Sequence, residues 1–137
     1  MATRNTTVTR DDYNQLAEML KDKLLGVIAD RKSVRELANE LQRAEIVDAA
    51  VIGPHTVTMN STIRVTEMAS DETDVYKLVY PNDANIAEGR LSILAPIGMA
   101  ILGYCAGDKI RRSIPWGTTE LRIDEVISQP EREGVAA

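Results

Sequence analysis

Asp22, Asp30, His55, Cys105 and the glycines Gly98, Gly103 and Gly107 are the residues of this 137-residue chain whose types suit chemistry. Two carboxylates can hold a divalent cation, a histidine can ligate a metal or move a proton, a cysteine can act as a nucleophile, and closely spaced glycines can cradle a phosphate. None has the company its chemistry needs. Asp22 and Asp30 stand on either side of a turn between two helical patterns, with Arg31 beside them, and read as solvated charges at the tip of a hairpin. His55 is the only histidine and follows Gly53-Pro54 with no second ligand near it, so it reads as a solvent-facing loop residue. Cys105 has no histidine or cysteine partner and reads as a small buried packing residue. The three glycines fit neither the Walker spacing nor the dinucleotide fingerprint, which leaves them as turns. No catalytic residue, metal site or cofactor is expected.

Two kinds of periodicity supply the frame around these residues. Thr9 with Asp12 three positions on forms a variant capping box, and Tyr13, Leu16, Leu20 and Leu24 follow on one face of a helix ending near Gly26. Ser33-Val34-Arg35-Glu36 is a full capping box, opening a second helix with Val34, Leu37, Ala38, Leu41 and Ala44 on one side. The pair predicts a short antiparallel hairpin, each helix no more than about 17 residues and roughly 20 to 25 Å long at about 1.5 Å per residue.

After Ile52-Gly53-Pro54-His55 the period becomes two. Strands are expected within Val57 to Met68, Val75 to Tyr80 and Leu91 to Leu94, and a closing hairpin from Lys109 to Ile114 and Thr118 to Ile127 around Pro115-Trp116-Gly117. In the last strand Thr119, Leu121 and Ile123 share one face, with Glu120, Arg122 and Asp124 on the other. Between the strands, Pro96 starts and Gly103 stops a short helix, and Gly107-Asp108 turns the chain onward. Gln129 to Ala137 has no pattern and reads as a frayed tail. The fold class is α+β, with a helical hairpin at 1–52 and a sheet domain at 53–137.

With 44% hydrophobic and 27% charged residues the chain is an ordinary globular one, so disorder throughout is excluded. A net charge of -5 argues against coating nucleic acid through a basic surface. A single cysteine permits no internal disulfide, the start carries no signal-peptide pattern, and the longest apolar run, Leu91 to Leu102, is too short and too broken for a membrane span. A cytoplasmic protein without membrane contact is expected.

The segment Ala95-Pro96-x-x-x-Ala100-x-Leu102-Gly103-x-x-x-Gly107-Asp108 resembles the Ser-Pro-x-x-x-Ala-x-Leu-Gly-x-x-x-Gly-Asp signature of the C-terminal domain of bacterial Gre transcript cleavage factors, the GreA/GreB family. Val57-Thr58-Met59-Asn60-Ser61 is similar to that domain's opening Val-x-x-Gly-Ser, with Asn60 in the glycine position, and Val79-Tyr80-Pro81 and Asn85 to Ile93 fall in register. Asparagine tolerates left-handed backbone better than most residues, so that exchange is mild. The resemblance implies a curved antiparallel sheet clasping one short helix, as in FK506-binding proteins. It also implies bacterial RNA polymerase as partner, gripped at a rim of its largest subunit by the loop carrying Pro96.

Leu94, Pro96, Ile97 and Met99 cannot all be buried on a helix about two turns long, so one or two are expected to stay exposed as an apolar patch that is either the binding surface or core, and with Ala95 they are the candidate polymerase-binding residues. Family members that stimulate cleavage carry an Asp-x-x-Glu pair at the tip of a long coiled coil. Residues 1–52 contain no aspartate followed three positions later by glutamate. The short prong without that pair resembles the Rnk branch, named for regulation of nucleoside diphosphate kinase, and implies binding to polymerase without cleavage. A contact with nucleoside diphosphate kinase is the alternative. Prolyl isomerase activity, suggested by the fold analogy, is poorly served by no Phe, one Trp and four Tyr.

Overall fold

Thr9, in extended conformation, accepts a hydrogen bond from the Asp12 N–H through its side chain (3.1 Å) and so opens helix α1, Arg10–Leu20. The computed structural model describes residues 6–22, 25, 30–114 and 117–134. In a full capping box the Asp12 carboxylate would return to the Thr9 N–H; instead it crosses to the Met59 N–H at 3.0 Å. Helix α1 closes at Lys21, whose N–H turns back to Glu18 O, so it is shorter than the apolar spacing suggested. Gly26, the expected stop, lies outside the described residues, as does Leu24.

Helix α2, Arg31–Gln42, is capped three residues before the expected Ser33. Asp30 is the N-cap: its carboxylate accepts from the Ser33 N–H (3.3 Å) and the Ser33 hydroxyl (3.2 Å). Aspartate caps as well as serine, and the earlier start adds a turn of backbone bonds, beginning with Val34 N–H to Asp30 O. At 11 and 12 residues the helices are about 16 and 18 Å long on a rise of about 1.5 Å per residue, below the expected reach. Leu16, Leu37 and Leu41 are their buried apolar contacts.

The root of the hairpin is closed by two strands of three residues each, β1 (Thr7–Thr9) and β2 (Glu45–Val47), paired in parallel with Val8 opposite Ile46. No period-two signal of useful length exists in three residues, and the sequence pattern passes over both.

The second half builds a five-stranded sheet from β3 (Thr62–Glu67), β4 (Glu72–Val79), β5 (Arg90–Ser92), β6 (Lys109–Ile114) and β7 (Gly117–Ser128), in the order β5-β4-β3-β7-β6. All neighbours are antiparallel except β5, which lies parallel to β4 after two 3-10 turns. Strand β3 begins at Thr62, five residues later than the start at Val57, because Asn60 adopts the left-handed conformation (φ 66°) and breaks the extension. That is the conformation expected where asparagine stands in the glycine position.

Thr119, Leu121 and Ile123 face the core, and then the phase changes: Ile123 pairs with Val65 but Glu125 with Arg64, so the strand bulges and Val126 is buried as well. Helix α3, Pro96–Ile101, lays Met99, Ala100 and Ile101 into the same core, which is continuous with Val8, Leu16, Leu37 and Leu41 of the hairpin. The segment read as a frayed tail is ordered. Gln129 is 1% exposed, and Pro130–Glu133 form a last short helix, α4.

Candidate functional site

Ser92 prepares the loop ahead of α3. Its hydroxyl accepts from the Leu94 N–H (3.0 Å) and its carbonyl from the Ala95 N–H (3.0 Å), which holds Ala95 in extended conformation at the N-cap and puts Pro96 in the first turn, where its missing N–H costs nothing. The helix sits so close to this loop that a Cβ on Gly98 would lie 2.2 Å from the Ser92 carbonyl oxygen. It ends in a type II turn, with Leu102 at φ -57°, ψ 128° and Gly103 at φ 82°, closed by Tyr104 N–H to Ile101 O at 3.1 Å. A Cβ on Gly103 would meet Thr6 Cγ2 at 2.3 Å and the Thr7 backbone at 2.8 Å, so the glycine also admits the root of the hairpin.

Leu94, Ala95, Pro96 and Ile97 are half-buried, and Leu94, Ala95 and Ile97 pack against the core. Met99 is 5% exposed and belongs to the core, not to the surface patch. A groove of about 390 Å³ runs along Leu94 and Ala95 and is walled on its far side by Asp30 and Ser33 at the start of α2, with Leu25, Pro81, Ala84 and Ser92 between them. Ala95 also lines a second hollow of about 320 Å³ beside Ala84, Leu91 and the exposed Ile86. The fold thus brings Asp30, read from sequence as a solvated tip charge, to the Leu94-Ala95 loop as a helix cap. Arg31 is exposed on the first turn of α2. Asp22 goes elsewhere, lining a cleft of about 540 Å³ with Gln15, Glu18, Met19 and Tyr80.

His55 is exposed, as expected, and its carbonyl accepts from Ala106 N–H. Cys105 is half-buried, 3.4 Å from the Thr56 hydroxyl. Among the described residues no group of three or more His, Cys, Asp or Glu is placed to hold a metal ion, and no helix is long and apolar enough to cross a membrane.

The junction between hairpin and sheet domain holds the groups that sequence reasoning missed. Asp12 is 2% exposed, and burial pushes its carboxyl up to about 7, with the Glu131 and Asp11 charges raising it further against the Met59 N–H and Thr9, which favour the charged form. Tyr80, at the same junction, has its phenol raised by burial and then by the charges of Asp12 and Glu131, and its buried hydroxyl has no hydrogen-bond partner. Glu131 accepts from the Thr58 hydroxyl at 2.7 Å. Asp12 was visible only as a cap residue, and the Glu131 segment had no periodicity to signal its docking.

Residues 53–128, which span β3 to β7, α3 and the Leu94–Ile97 loop, match the family model described as transcription elongation factor GreA/GreB, C-terminal domain. The chain belongs to the GreA/GreB family. Among relatives, a transcription elongation factor GreA of Trichlorobacter lovleyi is 28% identical over 89% of this chain and 96% of its own. A regulator of nucleoside diphosphate kinase of Escherichia coli K12 is 36% identical over 69% of this chain and 71% of that protein. A solved structure of a prokaryotic transcription elongation factor GreA/GreB from Nitrosomonas europaea is 35% identical, covers 92% of this chain and 100% of its own, and superposes with a TM-score of 0.72. The GreA/GreB fold explains why Gly98, Gly103 and Gly107 occur together: two admit a close backbone approach and the third turns the chain into β6 at φ 91°.

Proposed function

We propose that this GreA/GreB-family chain is a non-catalytic regulator that binds bacterial RNA polymerase near its secondary channel through the Leu94–Ile97 loop, at a rim of the largest subunit. The observation that carries the reading is the loop itself: half-exposed apolar residues on a rigid Pro-started turn, bordered by two hollows and by the exposed Ile86, within the domain that matches the family. The prong supports the non-catalytic part, since helices of 11 and 12 residues are short and residues 1–52 contain no Asp-x-x-Glu pair to share a second cation with polymerase. The protein then acts in the cytoplasm by occupying the site that cleavage factors use.

Backtracked elongation complexes provide the test. The protein alone leaves transcript cleavage at the polymerase's own background, and in excess it suppresses cleavage stimulated by a GreA-type factor. Robust stimulation refutes the non-catalytic reading, and simultaneous binding of both factors to one polymerase refutes the shared site. The name of the Escherichia coli relative favours a second reading, contact with nucleoside diphosphate kinase. Binding to the purified kinase with none to polymerase would establish that reading in place of the first.

A further inference from the structure

Burial of apolar surface joins the hairpin to the sheet domain but has no direction, so directional contacts must decide how the hairpin stands on the sheet. One such contact is the approach of Thr6 and Thr7 to Gly103, which locates the β1 side of the root. The other side is reached through residues 53–58, a connecting segment tied on one edge to residues 103–106 by the bridge of Thr56 to Cys105 and by Gly103 N–H to Val57 O at 2.9 Å. Three side chains of the short C-terminal turn grip it. The Gln129 side-chain amide, fully buried, donates to Gly53 O at 2.8 Å and Thr56 O at 2.7 Å. The Arg132 guanidinium donates to Pro54 O at 3.1 Å while its other bonds, to Val126 O (3.1 Å) and Ile127 O (2.7 Å), anchor it on β7. Glu131 takes the Thr58 hydroxyl, and Glu133 accepts from the Gln129 N–H at 2.9 Å to close the turn.

We propose that Gln129–Glu133 form a clasp that sets the orientation of the helical hairpin on the sheet domain by holding residues 53–58. Three carbonyl acceptors and one hydroxyl donor on the connecting segment are taken by three side chains of one short turn, so the clasp holds the segment as a unit. Its grip ends at Thr58, one residue before the Met59 N–H that the Asp12 carboxylate of α1 engages, and any movement of the segment is passed to α1 through that bond. Gln129 and Arg132 are thus positioning residues. They lie immediately beyond the residues that match the family model.

Double electron–electron resonance on the full chain, in a Cys105→Ser background, tests the proposal on the free protein and independently of any partner. Spin labels at Arg35→Cys on α2 and Glu120→Cys on β7 report the hairpin against the sheet. Labels at Val75→Cys and Arg111→Cys report the sheet against itself, and all four positions are exposed. Arg132→Ala and, separately, Gln129→Leu broaden the first distance distribution and shift its maximum while the second stays as in the parent. Unchanged hairpin-to-sheet distances in Arg132→Ala overturn the proposal. Equal broadening of both label pairs also overturns it, because the C-terminal turn would then only support overall stability. Gln129→Leu leaves the buried Thr56 carbonyl without its side-chain donor and Gly53 O with the Thr56 N–H at 3.2 Å, and is the variant at risk of misfolding; Arg132 is partly exposed, and its variant decides the matter alone if needed.

Discussion

Replacing Asp12 by asparagine is expected to stabilise this protein at alkaline pH and to remove most of its dependence on pH between about 5 and 8. The carboxyl is 2% exposed and holds its proton to about pH 7, against an ordinary value of 3.8. The folded state therefore binds this proton more tightly than the unfolded chain. Stability contributed by the neutral form is complete below about pH 4, declines as the pH rises toward 7, and is lost above it. At about 1.4 kcal/mol per unit, a shift of roughly three units sets an upper bound of about 4 kcal/mol on the cost of carrying the charge at pH 8. Asparagine keeps an oxygen to accept from the Met59 N–H and removes the charge that burial and Glu131 oppose. The check is urea denaturation of both proteins at several pH values. Wild type should lose stability from pH 5 to pH 8 while Asp12→Asn stays nearly level and is the more stable of the two at pH 8. If wild type is flat across that range, or the variant is weaker at pH 8, the Met59 bond outweighs desolvation and the reasoning fails.

Two further outcomes follow from the α3 loop. Pro96→Asp should leave the melting temperature nearly unchanged, since a carboxylate suits the first turn of a helix, yet weaken polymerase binding about tenfold or more because the charge must be desolvated at an apolar contact; equal affinities in a fluorescence titration would place the interface elsewhere. Gly98→Ala should destabilise the fold by roughly 1–3 kcal/mol, at the upper end because the new methyl meets a backbone carbonyl at 2.2 Å and not a movable side chain, and an unaltered thermal melt would show that α3 can shift freely.

Long, strongly periodic elements were legible in the sequence, and so were positions where the backbone needs glycine or proline. The β6–β7 hairpin, the β3 alternation and the Pro96-to-Gly103 helix are local facts, written into neighbouring residues. The cap of α2 was misplaced because Asp30 and Ser33 both qualify, and spacing alone does not say which one starts the helix. Short β1 and β2, the ordered C-terminal turn and the buried Asp12 escaped for a different reason. Each depends on a partner far along the chain, Thr7 on Glu45, Gln129 on Gly53 and Asp12 on Met59, and nothing in the neighbouring residues announces it. In the candidate site the Pro96 loop was visible through its motif. Its alignment with the start of α2 across one groove was not.

The parallel pairing of β1 with β2 makes the hairpin a closed loop tied at its root. Everything from Arg10 to Ala44 hangs between two strands whose register is already fixed, so its length is set only at the far end. Matched insertions of whole turns in α1 and α2 would move the tip outward and leave the Pro96 loop, the root and the junction where they are. Because closing a longer loop costs only about 0.6 kcal/mol per doubling, reach is an inexpensive variable on this scaffold. A grafted prong of another length would therefore be measured from the same fixed origin, like an interchangeable probe on a common handle.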